Sequence, residues 1–221
     1  RYVFKREKIC DVALLQAKKF YILHILDKEG VKTEEFEYKG IAIAQATFSK
    51  EVKDLLKDIV HTSLLAKNRR EAIHIFQEGY EKFLKMSPEE IATRKKINNY
   101  EKWDNMIGSD KKFGKGTPIQ VKSAMNFNKA LTDLNIADKY PIVKSGTKMK
   151  FFYCKKNIYD YETIGFIDYY PKELLEVIKP DYRFMFDKNV VPVISRIFQV
   201  IGWPLPAVGC EEVTDLIQLL S

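Results

Sequence analysis

The run Phe20-Tyr21-Ile22-Leu23-His24-Ile25-Leu26 constrains this chain more than any other segment. It is entered through Gln16-Ala17-Lys18-Lys19 and closed by Asp27-Lys28-Glu29-Gly30. Side chains on a strand alternate between faces. Lys18, Phe20, Ile22, His24 and Leu26 therefore share one side, and Lys19, Tyr21, Leu23 and Ile25 the other. Both sides are apolar past the lysines, so the run reads as a strand buried on two faces, with the lysines where it emerges. Asp27 to Gly30 has the polar-to-glycine pattern of a tight turn, and Val31 to Tyr38 alternates as the return strand. A rigid strand that delivers two ammonium groups and a phenol to one spot suits an anionic ligand. A strand with a solvated basic end is the plainer reading of the same residues.

Hydrophobic residues make up 46% of the 221, with 14 Phe and 12 Tyr, which is enough for a core and excludes a disordered segment. Cys10, Cys154 and Cys210 are widely spaced and have no neighbouring His, which excludes a disulfide framework and a zinc site and fits a reducing compartment. No stretch approaches the length of a membrane span. The chain starts without methionine, as expected of a piece of a longer or split polypeptide. Its net charge of +7 is unevenly placed. Residues 94–156 hold 15 Lys/Arg against 5 Asp/Glu, whereas residues 48–93 hold eight of each. A basic excess confined to one block points to a surface for a polyanion or to a solvated lysine-rich face. The balanced block reads as helical support.

Helical spacing begins at Ser49, a capping residue ahead of Val52, Leu55, Leu56, Ile59 and Leu64. A second helix from about Arg70 puts Ile73, Phe76, Tyr80, Phe83 and Leu84 on its apolar side. His61 and His74 lie beside these stripes and read as packing or surface residues. Ser87-Pro88-Glu89-Glu90 has the form of a capping box. From 94 to 117 the pattern loosens, with Gly108, Gly114 and Gly116 among Lys111, Lys112 and Lys115. Thr117-Pro118 then caps a helix with Val121, Ala124, Met125, Asn128 and Leu131 inward. A lysine- and glycine-rich loop at a helix N-terminus offers an anion site, although the spacing is not that of a Walker loop. Lys148 to Lys156 reads as a strand with basic ends, and Ile164 to Tyr169 as another. Pro171 opens a short helix. Residues 182–202 read as a long apolar helix that Pro192 kinks or breaks and Gly202-Trp203-Pro204 stops. Val213 to Leu220 forms a last helical patch.

In this order the segments resemble the end of a family B DNA polymerase of the phage type. Phe4-Lys5-Arg6-Glu7 followed by Lys18-Lys19-Phe20-Tyr21 is similar to the palm segment with that family's Lys-Lys-Arg-Tyr motif. Gly116-Thr117-Pro118-Ile119-Gln120-Val121-Lys122 is similar to the thumb's Gly-x-Pro-Ile-His-Val-Arg segment, Lys148 to Lys156 to its basic strand, and Phe186 to Trp203 to its last long helix. The resemblance implies an α+β fold, with a palm-edge β-hairpin over residues 1–47 and a mainly helical thumb with a small β-containing tip over 48–221. It implies that Lys18, Lys19 and Tyr21 line the minor groove at the primer terminus, where every base pair presents acceptors. It implies that Lys111, Lys112, Lys115, Lys122, Lys148, Lys150, Lys155 and Lys156 hold the backbone of the product duplex. Phe20 stands where the family has Arg, and Gln120 where it has His.

Polymerisation needs two metal ions held by carboxylates. The Ser-Leu-Tyr-Pro-like and Asp-Thr-Asp motifs that supply them in the family are missing, and the chain contains no Asp-x-Asp. The resemblance therefore implies a duplex-holding part without activity of its own. Mg2+ and the catalytic carboxylates would come from the rest of the polymerase or from a second chain, in the host-cell cytoplasm or at the nucleoid. The tail, Val213-Thr214-Asp215-Leu216-Ile217-Gln218-Leu219-Leu220-Ser221, could meet a sliding clamp or pack as a terminal helix. Two other classes fit parts of the sequence. One is an independent single-stranded nucleic-acid-binding module that stacks bases on Phe151, Phe152 and Tyr153. The other is a metal-dependent nuclease using Asp160, Glu162 and Asp168.

Overall fold

A computed structural model describes residues 6–41, 43, 47–104, 113, 116–203 and 205. The fold is α+β, with two three-stranded antiparallel sheets and a larger share of helix. The chain divides into two compact units. One comprises Arg1–Ala44, Lys53–Lys82 and Asp187–Ser221, the other Gln45–Val52 and Phe83–Phe186.

The sheet of the first unit is a meander of β1 (Lys8–Ala17), β2 (Phe20–Lys28) and β3 (Val31–Lys39). β1 lies in a sequence that mixes charged and apolar residues, yet its exposure alternates: Lys8, Cys10, Val12 and Leu14 are covered while Ile9, Asp11, Ala13 and Leu15 face solvent. Its pairing with β2 corrects the expected position of the lysines. Ala17 pairs with Phe20, so Lys18 and Lys19 form the two-residue turn between strands and are not on a strand. An antiparallel neighbour this close in sequence needs a tight turn, and Lys19 takes the left-handed conformation (φ 67°) that closes it. The double burial expected of β2 is partial. Ile22 and Ile25 are fully buried and His24 nearly so, Leu23 is half-buried, and Leu26 is exposed beyond a register shift between Ile25 and Asp27. The turn into β3 forms as read. Glu29 and Gly30 are both left-handed (φ 54° and 90°), and the Gly30 N–H donates to Asp27 Oδ1 at 2.9 Å.

Ser49 Oγ accepts the Val52 N–H at 3.0 Å and caps α1 (Lys50–Leu64), whose Val52, Leu55, Leu56, Ile59 and Val60 are buried. α2 (Arg69–Leu84) buries Ala72, Phe76 and Phe83, whereas Leu84 turns outward. Gly79 allows a close approach: a Cβ there would lie 2.4 Å from Ile59 Cδ1. The capping box at Ser87 is present, with Ser87 N–H donating to Glu90 Oε2 and Glu90 N–H to Ser87 Oγ, but α3 (Pro88–Ile91) is one turn long.

The second unit contains two elements within a stretch expected to be loose, β4 (Thr93–Lys96) and α4 (Tyr100–Asp104). α5 (Ile119–Asp133) starts after Pro118, which occupies the cap position without a side-chain bond. β5 (Lys148–Tyr153) and β6 (Thr163–Phe166) complete a sheet in the order β4-β5-β6. α5 packs on this sheet. Ser123 Oγ lies 2.9 Å from Thr163 Oγ1, Asn126 Nδ2 donates to Thr163 O at 2.8 Å, and Gly165 leaves room for Met149 and the Ser123 carbonyl. Asn128 both donates to and accepts from the Val143 backbone, which accounts for its inward position. α6 (Lys172–Val177) follows Pro171. The long helix expected over 182–202 is two, α7 (Tyr182–Asn189) and α8 (Val191–Val200), with Pro192 in the first turn of α8. Among the described residues no helix is long and apolar enough to cross a membrane.

Candidate nucleic-acid interface

In the first unit Lys18 and Lys19 project from the β1–β2 turn and are exposed. The turn is held from the side by Gly40 (φ 73°), where a Cβ would fall 2.2 Å from the Lys19 carbonyl oxygen. Tyr21 lies just inside β2, opposite Leu15 and Lys39. Its hydroxyl donates to Glu37 Oε1 at 3.0 Å, and Lys8 Nζ donates to Glu37 Oε2 at 2.7 Å. The Lys8 hydrogen bond, followed by the Tyr21 bond, holds the Glu37 carboxyl below its usual range. The phenol is therefore engaged with a carboxylate, whereas the two lysines of this trio have no partner among the described residues.

The second unit gathers a larger charge. β4 pairs with β5 so that Arg94 lies opposite Lys150 and Lys96 opposite Lys148. Residues directly opposite in an antiparallel pair share a face. Arg94, Lys96, Lys148 and Lys150 therefore stand together on one face of the sheet. The Arg94 N–H donates outward to Thr47 O at 2.8 Å, and Ile97 N–H donates to Thr147 O at 2.9 Å. By the alternation of antiparallel ladders, both cation pairs are then of the non-hydrogen-bonded kind, in which the two Cα atoms come within about 4.5 Å. Like charges in such positions repel, at a cost of about 0.2–1 kcal/mol per pair. Among the described residues no carboxylate lies within ion-pair distance of any of the four. Among the described residues of this unit, Lys129 pairs with Asp133 and Lys139 with Glu173. Lys150 is fixed in place: its ammonium donates to the Asp168 carbonyl at 3.1 Å and sits 6.0 Å from the centre of the Phe166 ring. The inner part of this face is sealed by Phe152, Phe166 and Tyr170, with ring centres 4.9–6.0 Å apart.

Neither a protein-family model nor a curated protein matches this sequence.

Of the lysines nominated from sequence, Lys148 and Lys150 join this face. Lys155 and Lys156 are exposed beyond the far end of β5. Lys122 rides on α5, which packs against the opposite face, and its ammonium lies 5.8 Å from the Phe113 ring centre. Lys111, Lys112 and Lys115, like Cys210 and the tail at 213–221, lie outside the described residues. Sequence reasoning missed Arg94 and Lys96 as members of a site because Thr93-Arg94-Lys95-Lys96 has no apolar alternation to mark a strand. The available signal was the matching i, i+2 spacing of Arg94/Lys96 and Lys148/Lys150. Phe151 and Phe152 are buried, which removes two of the three rings suggested for base stacking. Burial pushes the Cys154 thiol up to about 12, so it is a packing residue and not a nucleophile at neutral pH. Among the described residues Asp160, Glu162 and Asp168 form no group able to hold a metal ion.

Proposed function

We propose that this chain grips the sugar-phosphate backbone of duplex DNA as the palm-edge and thumb part of a DNA-directed DNA polymerase of the phage family B type. Its catalytic carboxylates, and the two Mg2+ ions they hold, belong to residues outside this chain. The observation that carries the reading is the two pairs of opposed like charges, Arg94 with Lys150 and Lys96 with Lys148, on a sheet face without acidic partners among the described residues. Such an arrangement costs stability in the free chain and is relieved by a bound polyanion. Backbone contacts of this kind hold position and carry no sequence information, as a replicative enzyme requires. The exposed Lys18–Lys19 turn and the ordered resemblance of four segments support the same reading. A free single strand is the less favoured ligand, because Phe151 and Phe152 are committed to the core.

The test is fluorescence anisotropy with a labelled primer-template duplex and a single strand of equal length. The duplex should bind more tightly, with no preference among unrelated sequences. Affinity should fall steeply with salt, the log–log slope being about −0.9 for each phosphate neutralised. Tighter binding of the single strand, or affinity that ignores salt, contradicts the proposal.

A further inference from the structure

We infer that each opposed pair seats one phosphate, so that the β4–β5 ladder holds two consecutive phosphates of a single DNA strand, Arg94 with Lys150 on one and Lys96 with Lys148 on the other. This rests on the duplex-gripping reading above. Across the ladder the paired Cβ atoms are about 4.5–5.5 Å apart, close enough for two cationic side chains to converge on one phosphate. Along the ladder, Arg94 and Lys96 are two residues apart, which is about 6.8 Å on an antiparallel strand. Consecutive phosphates on one strand of a duplex climb the axis by about 3.4 Å and also step around it, so they are separated by roughly twice that rise. The spacing along the ladder thus matches the backbone repeat, while the spacing across it is too short to serve two phosphates.

The two pairs are not equivalent. Lys150 is anchored by the Asp168 carbonyl and keeps two N–H donors free, so the Arg94–Lys150 site is largely formed before DNA arrives. At the Lys96–Lys148 site both side chains are exposed. The Arg94–Lys150 site should therefore account for the greater share of the affinity.

The experiment compares two double variants of the full chain that remove the same charge. K96Q/K148Q empties one pair, whereas K148Q/K150Q leaves one cation in each. Duplex affinity is measured by anisotropy from about 50 to 200 mM salt, the range over which phosphate contacts are resolved. If pairs share phosphates, K96Q/K148Q lowers the magnitude of the log–log slope by about 0.9, one phosphate. K148Q/K150Q then changes it much less. A cooperative melt in each variant shows that both remain folded; K96Q/K148Q should melt at or above the parent, whereas K148Q/K150Q offsets the relieved repulsion by losing the Lys150–Asp168 hydrogen bond. Equal slope changes in the two doubles, or no change in either, overturn the pairing while leaving duplex binding intact. Failure of the unaltered chain to bind duplex at the lowest salt overturns the functional reading itself.

Discussion

His61 illustrates how one side chain can set a pH limit on a fold. Its ring stacks on Phe36, with centres 3.8 Å apart, and Phe36 stacks in turn on His24 at 4.5 Å. His24 Nδ1 is 2.6 Å from Asp11 Oδ1, and its Nε2 is 4.0 Å from Glu34 Oε1. His61 has no such support. Among the described residues its Nε2 is buried without a hydrogen-bond partner, as is the Tyr38 hydroxyl in the neighbouring ring. Burial, and then the nearby His24, lower the His61 pKa from its ordinary 6.5. Between that value and the lower folded one, the unfolded chain binds the extra proton, so stability falls as pH drops through 6.5. His61→Phe keeps a ring against Phe36 and removes the titration. Thermal melts at about pH 7.5 and 5.5 should show the parent losing more on acidification than the variant, by on the order of 2 °C. An equal loss in both would place the acid sensitivity elsewhere.

At the scale of elements, the Lys18–Lys19 turn depends on a residue that no charge pattern reveals. Gly40 and Gly30 are both left-handed, but they differ in surroundings. A Cβ at Gly30 meets nothing within 4 Å, while one at Gly40 runs into the Lys19 carbonyl. Gly30→Ala should therefore cost only the conformational penalty of about 1–2 kcal/mol. Gly40→Ala adds overpacking of about 1–3 kcal/mol and pushes the lysine turn out of place. Denaturant titration should rank the two variants in that order, and Gly40→Ala alone should weaken duplex binding at temperatures where both are folded. The comparison also shows what was legible in the sequence. β2, β3 and the Asp27–Gly30 turn could be read because a continuous apolar run marks the first, alternation the second and a glycine the turn. Lys18 and Lys19 could be singled out but not placed, because a turn closed by a left-handed lysine carries no glycine signal. β4 could not be read at all: an edge strand of Thr93, Arg94, Lys95 and Lys96 lacks the periodicity by which strands are recognised, and only pairing with β5 defines it.

At the scale of the molecule, the α+β class was expected from the resemblance of ordered segments, and the concentration of positive charge in residues 94–156 was legible because it is summed over many residues. The face that bears the charge was not, because it is created by the register of two strands separated by 51 residues of sequence between Lys96 and Lys148. That register sets stability against binding in one substitution. Lys148→Glu turns a repulsive cross-strand pair into an attractive one with Lys96, a gain of about 0.2–1 kcal/mol. It also lowers a formal net charge of +7 by two and puts a carboxylate where the proposed phosphate contact needs a cation. Reduced self-repulsion in a basic chain acts in the same direction as the new pair. The variant should melt at the same temperature as the parent or slightly above it, while its duplex affinity falls at least about tenfold, the equivalent of one lost charged contact. Lys139→Glu is the control, because it removes a cation that already has an acidic partner in Glu173. It should leave affinity nearly unchanged and lower stability slightly. A Lys148→Glu chain that melts lower and binds as well as the parent would mean that the opposed cations serve the sheet rather than a ligand.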